Sequence, residues 1–339
     1  MYQLDAATRE QHDDVYRLIM AGWGSQVIRA LASLQVAEQL EAASLTADQL
    51  AERLSSEPRM TYRLLRAAAA LGLLDYDAPT GQFTGTPLLA ILHGDSPMSL
   101  KHYAQAAPEN AFWLPSLRLA ETVQCGHNHA EEMLGCTPFQ YLAEHQAEGE
   151  TFRAAMTELS TPVIREAVAK MDIGDVRTVV DVGGANGAFL AELLRHHPHV
   201  AGVVLDIPQA MAGIAEEARR CGVEDQMTGV AGDFFHEVPA GDLYLLKFVL
   251  HDWDDQACQT ILANIRRAMN PGARLIVVEM AVDEASPEAT LMDVAMLFAF
   301  TGQEREEAHL HALLASSGMR LFCTERLHKP YLMMEAVAT

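Results

Sequence analysis

Apolar and polar positions follow two different rhythms along this chain. In its first part the apolar residues fall three and four apart, as on one face of a helix. Val15 to Gln39 is a mostly apolar helical stretch with a break expected near Gly22 and Gly24. A second helix starts at Leu45-Thr46-Ala47-Asp48 and runs through Leu54, with Leu50, Ala51 and Leu54 on one side. A third, from Met60, carries Leu64, Leu65, Ala68 and Leu71 and ends at Gly72. Leu73 to Tyr76 and Gln82 to Thr84 then read as a short hairpin around Pro79-Thr80-Gly81. Helix, helix, hairpin is a winged-helix pattern. Leu100 to Lys170 reads as further helices, with loops around Pro108, Pro115 and Gly135 to Pro138.

From Asp175 the rhythm changes to short apolar, β-branched runs separated by helical stretches. The predicted strands are Thr178–Val182, Val200–Asp206, Met227–Ala231, Leu243–Val249, Arg274–Glu279, Met319–Arg326 and Tyr331–Ala338. Helices fall between them, for example Ala188 to His197 and Asp254 to Met269. This alternation predicts an α/β fold with a Rossmann-like, doubly wound parallel sheet. The last two strands are joined only by Leu327 to Pro330, too few residues for a crossover, so they form a hairpin and one strand is antiparallel.

The first of these strands leads into a glycine cluster, T-V-V-D-V-G-G-A-N-G from Thr178 to Gly187. Gly183, Gly184 and Gly187 carry no side chains, so a ligand can approach bare backbone. Such a turn at the carboxyl edge of an open sheet marks a nucleotide-type site; the alternative is a turn that binds nothing. A dinucleotide fingerprint, G-x-G-x-x-G, would place its second glycine where Ala185 stands. The acid Asp181 precedes the loop; it repels phosphate and suits a cationic or amine-bearing ligand. Asp206, ending the next strand, is placed to hold a ribose diol. Together these favour S-adenosylmethionine, which has a ribose and an amino acid but no phosphate, over a nicotinamide dinucleotide.

Three more strand ends carry candidate chemistry. The third runs into Gly232-Asp233-Phe234, an acid and an aromatic able to hold an adenine amine and ring face, or an ordinary Gly-Asp turn. The fourth holds Lys247 and ends in Leu250-His251-Asp252-Trp253; the fifth ends in Glu279. A histidine accepts a proton near neutral pH. His251 is therefore the candidate base, with Glu279 and Glu304 as candidates for the carboxylate that orients it. Its alternative role is a structural cap.

Composition narrows the classes. At 339 residues the chain has room for about two domains of roughly 150 residues each. A net charge of −22 repels nucleic-acid phosphate and anionic membrane. The winged-helix stretch is no exception. Between Thr46 and Asp75, arginines 53, 59, 63 and 66 are cancelled by acids 48, 52, 57 and 75. A subunit interface is a better use for it than DNA binding. No run reaches the ~18 apolar residues of a membrane span, and Met1 to Asp14 is polar, unlike a signal peptide. Five scattered cysteines, at 125, 136, 221, 258 and 323, fit a reducing cytoplasm. Metal is not expected. Asp252, Asp254 and Asp255 resemble a magnesium cluster but read more simply as a helix start, and His127-Asn128-His129 and His196 to His199 show no partner ligands at convincing spacing.

Val179 to Gly318 resembles the class I S-adenosylmethionine-dependent O-methyltransferases of the caffeate and hydroxyindole type, with their bacterial natural-product relatives. The matching pieces are D-V-G-G-A-N-G at 181–187, L-D-I-P at 205–208, G-D-F-F at 232–235, L-K-F-V-L-H-D-W-D-D at 246–255, the strand ending at Glu279, and G-Q-E-R-E-E at 302–307. The winged helix is similar to that family's dimerisation domain. The resemblance implies a dimerisation domain at 1–100, a helical connecting region at 101–170 that lines the acceptor pocket, and a catalytic domain at 171–339. It implies that Asp181, Gly183 and Gly184 form the cofactor loop, that Asp206 holds the ribose, that Asp233 and Phe234 flank the adenine and that Lys247 contacts that end. His251 would be the base beside Glu279 and Glu304. Phe152, Met156, Met296 and Phe300 would line the acceptor pocket, unless they are plain core. Ala185 departs from the family's third loop glycine, and Phe234 stands where methionine is frequent. The implied activity is O-methylation of an aromatic or polycyclic small molecule in secondary metabolism, by a cytoplasmic homodimer that releases S-adenosylhomocysteine. The competing readings are N- or C-methylation or non-methylating chemistry on the same fold, and a ligand-sensing DNA-binding regulator.

Overall fold

The computed structural model describes residues 6–283 and 286–339. The chain forms two compact units, one of residues 1–113 and 139–159, the other of residues 114–138 and 160–339.

In the first unit a single helix, Ala6–Ser33, passes straight through Gly22 and Gly24, where a break was expected. The turn comes instead at Gln35, whose backbone is left-handed (φ 56°) before the short helix Val36–Leu40. The helix Ala47–Leu54 is fixed at its start by a reciprocal cap. The Thr46 side chain accepts from Gln49 N, and the Gln49 side chain accepts from Thr46 N at 2.9 Å. Pro58–Ala70 follows, with Glu57 as its cap and proline in its first turn. Three strands make a small sheet: β1 (Leu45–Thr46), β2 (Leu74–Asp77) and β3 (Gln82–Gly85), in the order β1-β3-β2. Leu31, Leu50, Leu65, Phe83 and Leu89 are the buried centre of this unit. The helix Ala6–Ser33 leaves Leu18, Ile19 and Trp23 largely exposed (75%, 67% and 67%), an apolar face with no cover among the described residues.

The second unit is built on a seven-stranded sheet: β4 (Thr178–Val182), β5 (Ala201–Asp206), β6 (Met227–Ala231), β7 (Gly241–Lys247), β8 (Met269–Met280), β9 (Met319–Arg326) and β10 (Tyr331–Ala338). Its order is β6-β5-β4-β7-β8-β10-β9. Strands β4 to β8 pair in parallel, and β10 lies antiparallel between β8 and β9. The order reverses at β4, so the crevice beyond its carboxyl end and that of β7 is the topological switch point. Apolar cores cover both faces. Val179, Leu190, Leu194, Val204 and Leu245 belong to one; Val180, Leu246, Ile261, Ile265 and Val277 belong to the other. Alternation along β4 and β7 sends successive side chains to opposite cores.

Three strands of this sheet differ from expectation at their limits: β5 starts at Ala201 rather than Val200, β7 spans Gly241–Lys247 rather than Leu243–Val249, and β8 spans Met269–Met280 rather than Arg274–Glu279. β7 stops at Lys247 rather than Val249, because Phe248 takes a left-handed backbone (φ 57°) that ends the pleat. β8 starts at Met269 and runs through Asn270-Pro271-Gly272, past an irregularity in its register with β7.

Candidate active site

The switch point gathers the ends of β4, β5, β7 and β8. At the end of β4, Gly183 has a left-handed backbone (φ 68°), and a Cβ there would meet Val249 at 3.0 Å and the Phe234 ring at 3.4 Å. A Cβ on Gly184 would lie 2.5 Å from the Asp181 carboxylate. Asp181 therefore sits beneath the loop, 1% exposed, with Oδ2 buried and unpartnered. Burial pushes its carboxyl up to about 7 against the pull of Lys247. Asp206 ties the far side of the loop, where Oδ2 accepts from Ala185 N (2.8 Å) and Oδ1 from Ile207 N (2.7 Å). Each oxygen keeps a second lone pair for a ligand hydroxyl. A glycine-rich loop, closed by a carboxylate with acceptor capacity to spare, fits the adenosyl and amino-acid parts of S-adenosylmethionine.

Phe234 lies against this loop and packs edge-on with Trp253 (6.1 Å between ring centres) and against Phe235 (4.9 Å). Asp233 is exposed, and its carboxylate accepts from Phe235 N (2.8 Å) and sits 2.9 Å from His236 Nδ1, as in a self-capped turn. The Lys247 ammonium donates to Ser160 Oγ (3.1 Å) and lies 4.2 Å from the centre of the Phe248 ring. Burial lowers its pKa, and Asp181 and Glu279 oppose that shift.

After the left-handed Phe248 the chain makes one 3-10 turn, Leu250–Asp252, which presents His251. His251 Nδ1 lies 2.9 Å from Glu304 Oε1, and its side chain is 22% exposed. An ionised Glu304 only accepts, so Nδ1 carries the hydrogen and Nε2 is the atom left for a ligand. Glu279, 1% exposed at the end of β8, accepts from Val249 N (3.1 Å) and Leu250 N (2.8 Å) and so fixes the turn from below. Burial opposes a charge on His251. The Glu304 hydrogen bond and the nearby Glu279 and Asp252 carboxylates outweigh it and push the imidazole up to about 10. Burial, with Glu304 and Asp252 nearby, pushes Glu279 up to about 7.

Some of the machinery escaped sequence reasoning. Arg305, 2% exposed, donates to the carbonyls of Leu250 (2.7 Å) and Trp253 (2.6 Å) and to Asp255 Oδ1 (3.0 Å), so it clamps both ends of the histidine turn. Gln303 N donates to His251 O at 2.9 Å, and a Cβ on Gly302 would overlap that carbonyl and the Asp252 backbone. Asp293 Oδ1 accepts from Glu304 N (2.9 Å). The available signal was one arginine among three glutamates in G-Q-E-R-E-E. Of the three acids that resemble a magnesium cluster, Asp254 caps the helix Asp255–Ala268, as expected of a helix start, and Asp255 pairs with Arg305 and His309. Met296 is buried on the helix Pro287–Ala299 and Phe300 follows it, half-buried. Phe152 and Met156 lie half-buried on Gln146–Lys170 in the first unit, where the Phe152 ring packs tilted against Phe112, 5.4 Å between centres.

This arrangement has known counterparts. Residues 117–320 match the O-methyltransferase domain, and residues 16–94 match the O-methyltransferase dimerisation domain. The chain belongs to this O-methyltransferase family. It is 35% identical to the O-demethylpuromycin O-methyltransferase of Streptomyces alboniger, over 93% of this chain and 85% of that protein. The structure of a mitomycin 7-O-methyltransferase superposes with a TM-score of 0.89 at 30% identity, covering 98% and 99% of the two chains. That of an O-methyltransferase from neocarzinostatin biosynthesis, solved with S-adenosylmethionine and 2-hydroxy-5-methyl naphthoic acid, does so with 0.78 at 28% identity, covering 93% and 96%. The protein is thus an S-adenosylmethionine-dependent methyltransferase of this family. Among its described residues no helix is long and apolar enough to cross a membrane.

Proposed function

We propose that this enzyme methylates a hydroxyl of an aromatic or polycyclic small molecule in the biosynthesis of an antibiotic or pigment, with His251 as general base. The carrying observation is the His251–Glu304 pair at 2.9 Å at the switch point. The relatives support the acceptor class, because those described above act on, or hold, aromatic natural-product compounds.

S-adenosylmethionine, when bound, supplies an electrophilic methyl group on a sulfonium sulfur. Asp181, Gly183, Gly184 and Asp206 hold it, with Asp233, Phe234 and Lys247 at the adenine end. The remaining chemistry belongs to His251. Its Nε2 takes the proton from the acceptor hydroxyl, while Glu304 stabilises the imidazolium that forms. A phenol has a pKa of about 10, close to the value at which His251 is held. Proton transfer between the two is therefore close to balanced. At neutral pH the resting imidazolium first gives its own proton to solvent. Met296 and Phe300 would exclude water around the acceptor ring.

The first unit would make the enzyme a cytoplasmic homodimer. Its match to a dimerisation domain and the exposed Leu18, Ile19 and Trp23 support that reading.

Incubation with methyl-labelled S-adenosylmethionine and a panel of phenols, hydroxyindoles, phenazines and polyketide aromatics tests the activity. Label on an acceptor oxygen is the expected result. Label on nitrogen or carbon, or tight cofactor binding with no transfer to any acceptor, would overturn the O-methylation assignment.

A further inference from the structure

His127 and His129 lacked a partner in the sequence reading; the fold supplies one. The helix Leu119–Cys125 ends at Gly126, whose left-handed backbone (φ 78°) reverses the chain. His127, Asn128 and His129 follow, before the helix Ala130–Leu134. The reversal places Cys125 Sγ 3.8 Å from His127 Nε2 and 3.5 Å from His129 Nε2, and one ligand atom from each of the three residues lies within 4.8 Å of the others. We propose that Cys125, His127 and His129 form a zinc site, separate from the methyl-transfer residues.

Four observations carry this. First, the spacing fits: zinc bonds of ~2.3 Å to sulfur and ~2.0–2.1 Å to nitrogen at a tetrahedral angle separate S from N by about 3.6 Å. Second, a thiolate with two imidazoles selects a borderline-soft ion such as zinc over magnesium or calcium. Third, His129 is 7% exposed and its Nδ1 is buried without a hydrogen-bond partner, with Glu132 Oε2 3.4 Å away. Glu132 is itself paired with Arg118. With Nε2 on a metal the hydrogen sits on Nδ1, on the side where that carboxylate lies. Fourth, Cys125 and His127 are exposed, so an ion can enter and a water can take the fourth position.

The site also reaches the methyl-transfer residues through the backbone. Asn128, between the two histidines, donates from Nδ2 to Phe300 O at 2.6 Å, and its Oδ1 accepts from Ala130 N at 3.2 Å. Phe300 begins the segment that carries Gly302, Glu304 and Arg305. Binding displaces the Cys125 thiol proton to solvent and braces this loop.

The test uses the full chain, stripped with a chelator and titrated with zinc ion against a chromophoric competitor, and separately with cobalt ion. The expected result is one equivalent bound, a thiolate-to-cobalt charge-transfer band, and a raised melting temperature with zinc. Cys125→Ser and His127→Gln should abolish the band or weaken affinity about tenfold or more, while Cys136→Ser retains both. No saturable binding, or binding unchanged in Cys125→Ser and His127→Gln, would overturn the site.

Discussion

Glu304 Oε1 lies 2.9 Å from His251 Nδ1, although the two residues are 53 positions apart and on different elements. This contact decides the protonation of the proposed base. Glu304 and its neighbouring carboxylates hold the imidazole up to about 10, against the burial that would lower it. Removing the charge in Glu304→Gln leaves burial in place, so the pKa of His251 falls. The pH at which the rate rises should then move down by about one unit or more, while the maximal rate drops because the imidazolium loses its partner. A profile of kcat against pH for both proteins checks this. An unmoved rise would mean that His251 does not govern it.

The same shift has a sign for stability. His251 is raised above its unfolded value of about 6.5, so its stabilising contribution is full below that pH. It is lost as pH rises toward about 10. In Glu304→Gln, the fall in melting temperature between pH 6 and pH 9 should be shallower than in the parent.

Arg305 offers a second handle. Its guanidinium satisfies two carbonyls and a carboxylate at a position 2% exposed. Arg305→Met leaves those acceptors unpaired and should cost about 3–5 kcal/mol of stability. At a temperature where the variant stays folded, kcat should fall while cofactor affinity changes little, because the clamp acts on the histidine turn. Arg305→Lys should recover only part, since an ammonium lacks the planar fork. Denaturant unfolding and steady-state kinetics measure the two effects.

Gly302 is required by space rather than by its backbone angle. A side chain there meets the His251 carbonyl and the Asp252 backbone, neither of which is free to move. Gly302→Ala should therefore displace the segment bearing Glu304 and lower kcat by about tenfold or more, since small displacements of positioned groups cost this much. Unchanged kcat would place Gly302 outside the positioning machinery.

Ala185 stands in the cofactor loop with a left-handed backbone (φ 52°), a conformation unfavourable for a residue with a Cβ. Ala185→Gly removes that strain but frees the unfolded chain. The unfolding free energy should rise or hold, within about 1 kcal/mol, and cofactor affinity should stay within a few fold. A large loss of affinity would give the Ala185 methyl a role that the hydrogen bond from its own N–H to Asp206 does not explain.

What could be read from the chain divides along physical lines. Thr178–Val182, Met319–Arg326 and Tyr331–Ala338 fell at their observed limits, because dense β-branched runs and a four-residue connection leave few alternatives. The end of β7 was misplaced, because Val249 continues the apolar run and nothing in composition reveals the reversal at Phe248. Gly22 and Gly24 looked like a break, yet a long helix carries both; the cost of glycine, about 1 kcal/mol each, is small beside the rest of that helix. His251, Glu279 and Glu304 stood out at strand ends and in a shared motif, and the fold brings the three together. Arg305, Gly302 and Asp293 were not, because their function is to support backbone contacted only after folding. Cys125 was set aside for the same reason, since the reversal at Gly126 lies in a backbone angle rather than in the spacing of ligands.

The central claim is that His251 takes the proton from the acceptor. Single-turnover methyl transfer by His251→Ala, with S-adenosylmethionine affinity measured calorimetrically in the same preparation, tests it most directly. Cofactor affinity within a few fold of the parent and transfer slowed about 10²–10⁴-fold is the predicted result. Equal transfer rates in the two proteins would contradict the role of His251 as base.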